Sequence, residues 1–206
     1  LFADLPYANV YIDDITISTS PPLSYHAECV AEVIRRLTKA NLVLNPVKVV
    51  LAQRHIHILG WTIVSNGGLI PDPRKISSVH TWPIPTTGKM IQRYLGFANY
   101  FRNSIPKFSD ICAPLDELRN EKSLTGIWTD RHTRSFYAIQ KALAAAPVLS
   151  PPDLSQPFQV ATDASNTGIG GVIYQVINDK IRYVAMASRK LSKSECNYST
   201  TRRELL

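Results

Sequence analysis

The sequence predicts an α+β protein in which two α+β units are joined by a mostly helical middle segment. Apolar residues alternate over residues 8–18, which predicts short strands, and a helix-like spacing of apolar residues follows them. Prolines punctuate residues 70–88, which predicts a bent connector instead of a long element. Strand-like runs return within residues 158–187. We therefore expect one sheet in each terminal unit, the first truncated at its N-terminal side and the second at its C-terminal side.

The first unit opens on a predicted hairpin with Asp13-Asp14 at the turn, where short carboxylates are tolerated. Apolar residues alternate on both sides of this turn, at Val10, Ile12, Ile15 and Ile17. Ser24 is the predicted N-cap of an amphipathic helix that ends near Asn41. Further strands are predicted over Val47–Ala52 and His55–Val64, and the Asn-Gly-Gly sequence at residues 66–68 predicts a turn.

Helical spacing returns in the middle segment. Residues 89–103 and 130–146 both carry apolar residues at intervals of three and four, with Thr129 as the predicted N-cap of the second helix. Pro147 closes that helix. The second sheet is predicted from the runs Phe158–Thr162, Ile169–Val176 and Ile181–Ala187, and residues 199–206 predict the opening turns of a helix.

Composition limits the classes of protein that fit. The chain has 206 residues, 45% of them hydrophobic and 19% charged, which is enough for one large domain or two small ones. No run of about eighteen apolar residues exists, so no membrane span is predicted. The three cysteines lie far apart without a Cys-x-x-Cys pair, which favours free thiols over a zinc site or a disulfide framework. The net charge of +7 fits a polyanionic partner such as nucleic acid, although many basic proteins bind none.

Four acidic residues are candidates for metal chemistry. Asp13 and Asp14 place two carboxylates side by side, and a divalent cation would relieve their repulsion. Asp163 ends an apolar strand, and Glu204 lies in the last predicted helix. Taken alone, each has a more ordinary interpretation: a solvated hairpin, a strand-to-turn aspartate and a surface glutamate. The candidate nucleic-acid contacts on and after the helix at residues 89–103 are Lys89, Arg93, Tyr94, Tyr100, Phe101, Arg102 and Lys107. The alternative is that the aromatic residues are core and the basic residues a solvated face.

A series of short motifs nevertheless follows one order along almost the whole chain. They include Tyr11-Ile12-Asp13-Asp14, Leu42-Val43-Leu44-Asn45-Pro46 with Lys48, Ile58-Leu59-Gly60-Trp61, Trp82-Pro83-Ile84-Pro85, Tyr94-Leu95-Gly96-Phe97-Ala98-Asn99-Tyr100-Phe101-Arg102, Thr162-Asp163-Ala164-Ser165 and Asn197-Tyr198-Ser199-Thr200-Thr201. In this order they resemble the Pol polyprotein of gypsy-type long-terminal-repeat retrotransposons. The first resembles the Tyr-x-Asp-Asp metal box of reverse transcriptases, and Leu59-Gly60-Trp61 is similar to the strand that helps to hold the primer end.

The resemblance implies three parts: the C-terminal part of a reverse transcriptase palm at residues 1–65, a helical thumb and connection at residues 66–124, and the N-terminal part of an RNase H-like α/β domain at residues 125–206. It implies an RNA-directed DNA polymerase with RNase H activity that uses Mg²⁺, with Mn²⁺ as an alternative. The implied catalytic and metal-binding residues are Asp13, Asp14, Asp163 and Glu204. The implied nucleic-acid contacts are Tyr11, Lys48, Leu59, Gly60, Trp61, Lys89, Arg93 and Arg102.

The partners implied by the resemblance are an RNA template, a DNA primer, deoxynucleoside triphosphates, an RNA–DNA hybrid and the rest of the Pol polyprotein. The implied location is intracellular, in a cytoplasmic virus-like particle with a nuclear phase. Further carboxylates of both metal sites are expected outside residues 1–206, so this segment alone is expected to be inactive. The chain departs from the family pattern at Trp61, where the family has His, and at Arg202, where an acidic residue is frequent. The rival interpretation is a catalytically dead or domesticated remnant that only binds nucleic acid or protein.

Overall fold

The computed structural model describes residues 1–64 and 67–206, and the chain divides into two compact units, Leu1–Gln53 and Arg54–Leu206. The turn predicted at residues 66–68 lies partly outside the described residues, as does the predicted boundary between residues 65 and 66. No helix in the described ranges is both long and apolar enough to cross a membrane.

The first unit begins with the antiparallel hairpin of β1 (Ala8–Tyr11) and β2 (Asp14–Ile17). Tyr11 pairs with Asp14, so the turn consists of Ile12 and Asp13. The prediction that Asp13 and Asp14 both lie in the turn is therefore wrong by one residue, because the backbone of Asp14 already belongs to the strand ladder. Ile12 closes this turn with a φ of 53°, a left-handed conformation that is rare for a β-branched residue.

The helix α1 (Leu23–Lys39) packs its Cys29, Val33 and Leu37 face into the core of the first unit. It begins after Pro22 and not at Ser24, which lies within its first turn. A proline suits this flank because it has no N–H to donate. Arg36 fixes the N-terminal residues to the helix, since its guanidinium lies 2.5 Å from Asp4 and 2.7 Å from Glu32.

The strand predicted over Val47–Ala52 is wrong, because no regular element forms there. The side chain of Asn45 accepts a hydrogen bond from the Val47 N–H at 3.1 Å, and its carbonyl accepts one from Lys48 at 3.0 Å. This local turn competes with strand pairing. Val47 is also 91% exposed, so the apolar run packs against no buried face.

The second unit starts with a three-stranded antiparallel sheet of β3 (Ile56–Ile58), β4 (Trp61–Ile63) and β5 (Leu69–Pro71). The single strand predicted over His55–Val64 is folded in two at Leu59-Gly60, whose φ angles are 50° and 76°. Two consecutive residues with positive φ are typical of a tight hairpin turn. The predicted connector after this sheet contains the helix α2 (Pro73–Val79), which Asp72 caps through the Arg74 N–H.

Three helices build the main core of the second unit: α3 (Gly88–Tyr100), α4 (Phe108–Glu117) and α5 (Asp130–Ala144). The predicted N-cap of α5 is confirmed, because Thr129 and His132 form a reciprocal capping box. The helix α4 was not predicted, and it contains Pro114, although proline disfavours a helix interior. The most deeply buried side chains of this core include Ile91, Tyr94, Phe101, Leu115, Phe136, Ile139 and Leu143.

The C-terminal part of this unit is an antiparallel sheet in the order β6 (Gln159–Ala164), β7 (Gly168–Ile177) and β8 (Lys180–Lys190). The three predicted strands are confirmed, each slightly longer than expected. Asn178 and Asp179 join β7 to β8 with φ angles of 52° and 57°, which these residue types tolerate. The predicted final helix is confirmed as α6 (Thr200–Glu204).

Leu149 joins the two sheets of the second unit. Its N–H and carbonyl exchange hydrogen bonds with the backbone of Leu69 in β5 at 2.8 and 2.6 Å. The next residue, Ser150, donates its N–H to the carbonyl of Tyr183 in β8 at 2.6 Å. One short segment therefore satisfies backbone groups of both sheets.

Replacing Leu115 with alanine is expected to lower the free energy of unfolding of the second unit by about 2–5 kcal/mol, because the side chain is fully buried and its removal leaves a cavity. Urea denaturation followed by circular dichroism measures this loss. Leu154→Ala is the matched control, since Leu154 is 84% exposed. Equal stability of the two variants would contradict the placement of α4 in the core.

Candidate carboxylate sites and nucleic-acid contacts

The first pair of candidate carboxylates lies at the tip of the β1–β2 hairpin. Asp13 is the second turn residue and Asp14 begins β2, and both are exposed. The left-handed backbone of Ile12, which is itself 80% exposed, closes the turn that presents them. A strained residue beside two like charges costs folding free energy, so its presence suggests a functional constraint.

Asp13 also borders an open cleft of about 740 Å³ in the first unit, whose other lining residues, such as Phe2, Val10 and Leu44, are mostly apolar. Tyr11 stands opposite Asp14 in the ladder and is about half exposed. The hairpin tip therefore combines two carboxylates, an aromatic ring and an apolar cleft.

The second candidate carboxylate, Asp163, lies near the end of β6, opposite Gly170 of β7. Its Oδ2 lies 2.6 Å from the ammonium nitrogen of Lys107, and both side chains are 60% exposed. The hydrogen bond from Lys107 and its positive charge hold the pKa of Asp163 below its ordinary value. At neutral pH Asp163 is thus an ionised carboxylate that already has a cationic partner.

Glu204 is the last residue of α6 and is exposed. Its neighbour Arg203 donates hydrogen bonds to the carbonyl of Ser165, at 3.2 Å, and to the side chain of Asn166. These bonds attach α6 to the loop that follows β6. The helix that carries Glu204 therefore lies against the end of the strand that carries Asp163.

The donor chemistry at both places suits a hard divalent cation such as Mg²⁺, because all four residues are exposed carboxylates. No group of three or more acidic, histidine or cysteine side chains able to hold a metal occurs among the described residues. Mg²⁺ commonly takes one or two carboxylates and completes its shell with water and substrate phosphates. The residues therefore fit the ion as partial ligand sets.

The β3–β4 turn holds three of the predicted nucleic-acid contacts in a fixed conformation. The Tyr100 hydroxyl donates a hydrogen bond to the Leu59 carbonyl, and the Asp72 N–H donates to the Gly60 carbonyl at 2.9 Å. The Trp61 ring packs edge-on against Phe101, with centroids 5.2 Å apart. Trp61 thus serves packing against α3, whereas Leu59 at the turn remains partly exposed.

The predicted basic contacts fall into two kinds. Lys48, Lys89 and Arg93 are exposed, and the Arg93 guanidinium lies over the Trp82 ring at 5.4 Å. Arg102 is partly buried and donates a hydrogen bond to the Ser188 carbonyl at 2.7 Å. Arg102 therefore attaches the end of α3 to β8, and its predicted contact with nucleic acid stays a prediction.

The role of α4 at the second carboxylate was not predicted from the sequence. Asp110 accepts hydrogen bonds from Thr167 at 3.2 Å and from Ser165 at 3.4 Å, in the loop after β6. Lys107 was predicted only as one of several candidate nucleic-acid contacts. The spacing of Phe108, Cys112 and Leu115 is a helical signal that predicts α4, although Pro114 lies within it.

Residues 128–206, from the start of α5 to α6, match the family model described as the RNase H-like domain found in reverse transcriptase. Both Asp163 and Glu204 lie within the matched range. The prediction of an RNase H-like α/β segment at this end of the chain is confirmed at the level of the family.

The chain is homologous to transposon polyproteins of the fission yeast Schizosaccharomyces pombe. It is 34% identical to the Tf2-3 polyprotein and to the Tf2-7 polyprotein over 197 residues, which cover 95% of this chain and 15% of each polyprotein. The chain thus spans a small part of the length of these relatives. This similarity supports the predicted origin of the chain in a retrotransposon polyprotein.

The fold is similar to that of solved foamy viral protease–reverse transcriptases. One structure, in complex with double-stranded DNA, gives a TM-score of 0.86 at 27% identity over 99% of this chain and 36% of that chain. Another, in complex with an RNA/DNA hybrid, gives a TM-score of 0.82 at 28% identity over 99% of this chain and 27% of that chain. The mixed α/β fold predicted from the sequence agrees with these structures.

Proposed function

We propose that this chain is a segment of a gypsy-type retrotransposon reverse transcriptase, with the end of the palm at residues 1–65, the thumb and connection at residues 66–124 and the start of the RNase H domain at residues 125–206. The observation that carries the proposal is the family match over residues 128–206, which includes Asp163 and Glu204. The attachment of α6 to the loop after β6 supports it, because two distant carboxylates come from adjoining elements.

In the RNase H part, Asp163 and Glu204 provide oxygen ligands on one strand end and one helix. Bound Mg²⁺ would supply an activated water and stabilise the charge that develops on the scissile phosphate of the RNA strand. Arg203 attaches α6 to Ser165 and Asn166, and these bonds position Glu204 beside the end of β6. The substrate class is an RNA–DNA hybrid, recognised through phosphates, helix shape and 2′-hydroxyls.

In the polymerase part, Asp13 and Asp14 provide the ligands for the same kind of ion, with Mn²⁺ as an alternative. The rigid hairpin positions the two carboxylates, and the left-handed Ile12 fixes their direction. The reaction is attack of a primer 3′-hydroxyl on the α-phosphate of a deoxynucleoside triphosphate that pairs with an RNA template, and the bond to the β-phosphate breaks with release of pyrophosphate. The rest of the polyprotein would complete the site, and the proposed setting is a cytoplasmic virus-like particle with a nuclear phase.

Nucleic-acid binding by residues 1–206 tests the proposal directly. We expect sequence-independent binding to an RNA–DNA hybrid, because the chain carries a net charge of +7 and exposed basic side chains. If Lys48, Lys89 and Arg93 each contact a phosphate, an increase in salt from about 50 to 200 mM is expected to weaken binding roughly 40-fold. The reason is that these contacts release condensed counterions, which salt opposes. Fluorescence anisotropy over a salt series measures the slope.

The double variant Lys89→Gln/Arg93→Gln removes two of these phosphate contacts. The slope of log affinity against log salt is therefore expected to become shallower by about two units. The control is Lys122→Gln/Lys180→Gln, which removes the same charge from other exposed positions of the second unit. An affinity that does not depend on salt concentration, or equal slopes in the two double variants, would count against the proposed contacts. The same protein is expected to show no turnover with Mg²⁺, since each carboxylate pair is only a partial ligand set for the two cations of the proposed mechanism.

A further inference from the structure

The N-terminal turn of α4 is docked on the end of β6, close to Asp163. Lys107 lies 2.6 Å from the Asp163 carboxylate, and Asp110, one turn further, accepts hydrogen bonds from Ser165 and Thr167. Ser109 donates its N–H to the Ser188 hydroxyl of β8 at 3.0 Å. Of the four consecutive residues 107–110, three therefore contact the sheet of β6 to β8 or the loop after β6: Lys107, Ser109 and Asp110.

The contact is close at Gly168. A side-chain carbon on Gly168 would lie 2.5 Å from the Asp110 carboxylate and 3.1 Å from the Arg189 carbonyl, so a larger residue would require the Asp110 side chain to move. The hydrogen bonds of Ser109 and Asp110 support the position of Lys107 beside β6 in addition to the ion pair.

Lys107 also has an unusual backbone. It is the N-cap of α4 with φ 51° and ψ 34°, and its carbonyl accepts hydrogen bonds from Asp110 and Ile111 at 3.0 and 3.2 Å. A lysine in the left-handed region carries a conformational cost that asparagine or glycine would lessen. Its side chain performs no capping, and its ammonium group is directed to Asp163 instead.

We propose that Lys107 is a positioning residue that acts as a tethered counterion of Asp163 and competes with a divalent cation for the same carboxylate oxygen. This inference rests on the proposed function, in which Asp163 is a metal ligand. A cation that binds Asp163 must displace the ammonium group or share the carboxylate with it. Lys107 therefore weakens cation binding to Asp163, and its ammonium group neutralises the carboxylate when no cation is bound.

The competition between Lys107 and a cation depends on how α4 packs against the sheet. The lysine belongs to the helical middle segment, whereas Asp163 belongs to the sheet, and the α4 contacts hold the two together. A shift of α4 away from β6 would remove the competing charge. The cation affinity of Asp163 is thus linked to the docking of α4.

Site-resolved Mn²⁺ binding tests the inference without any measurement of activity. In residues 1–206, added Mn²⁺ is expected to broaden the amide NMR signals of Ala164 and Gly170, which neighbour or pair with Asp163. Lys107→Gln is expected to lower the Mn²⁺ concentration at half-broadening roughly two- to fivefold, the range for an exposed ion pair. Lys107→Arg is expected to keep the wild-type value, because it retains a cation at the same backbone position.

Lys122→Gln is the control for net charge, and thermal melting confirms that each variant folds. An equal response of Lys107→Gln and Lys122→Gln would overturn the inference and leave the proposed role of Asp163 intact. Broadening that survives unchanged in Asp163→Asn, or that never occurs near β6, would overturn the metal role of Asp163 and the inference with it. A two- to fivefold gain that disappears when Asp163→Asn is added supports both.

Discussion

Replacing Asp163 with asparagine is expected to lower RNA-strand cleavage about a thousandfold or more in a polyprotein that contains this segment, while primer extension persists. The amide keeps the size of the side chain but removes the negative charge and one strong oxygen ligand. A loss of about 4 kcal/mol in transition-state stabilisation corresponds to this factor. Glu204→Gln is expected to have the same direction of effect, because the proposed function assigns Glu204 and Asp163 to one metal site.

Cleavage of a labelled hybrid and extension of a primer, measured on the same preparation, separate the two activities. Asp179→Asn is the matched control, since it makes the same chemical change at an exposed turn residue whose left-handed φ suits asparagine. Loss of both activities together, with a lowered melting temperature, would show that Asp163 and Glu204 serve the fold instead of the chemistry.

Asp13→Asn or Asp14→Asn is expected to reduce DNA synthesis in the same polyprotein by a similar factor of about a thousand and to spare RNA cleavage. Both carboxylates are exposed at the hairpin tip, so their loss removes ligands without removing buried contacts. Relief of the repulsion between adjacent carboxylates should even leave the melting temperature unchanged or slightly higher.

Primer extension at several Mg²⁺ and Mn²⁺ concentrations measures this effect. Glu28→Gln is the control, because Glu28 is an exposed acidic residue on α1 of the same unit. Near-normal DNA synthesis by either aspartate variant would remove the hairpin from the proposed polymerase site. Loss of RNA cleavage in these variants would show that the effect spreads beyond the first unit.

Elements with strong local signals could be predicted from the sequence. The helix α5 shows both a capping box and a regular apolar spacing, and the strands β6 to β8 show long apolar runs between turn residues. The region Val47–Ala52 carries a similar apolar signal but lies on no buried face. The pattern alone therefore predicts a strand that does not form. In α4 the opposite occurred: packing of Phe108 and Leu115 overrides the local effect of Pro114.

The local pattern makes the four carboxylates no more than candidates, since nothing in it distinguishes Glu204 from a surface glutamate, and only the resemblance implies a catalytic role for them. The structure adds what separation along the chain concealed. Lys107 and Asp163 are 56 residues apart in the sequence. The packing of α4 beside β6 brings the Lys107 Nζ to 2.6 Å from the Asp163 Oδ2. Contacts of this kind depend on the tertiary arrangement, which periodicity does not encode.

The short backbone bridge at Leu149 bears on how this segment can change over evolution. Residues 66–124 and 125–206 carry different predicted tasks, yet Leu149 pairs with β5 and its neighbour Ser150 with β8 inside one compact unit. An exchange of residues 125–206 for the corresponding part of another element would have to supply the same backbone N–H and carbonyl groups at this position. Backbone changes at Leu149 and Ser150 are therefore constrained by the geometry of both sheets.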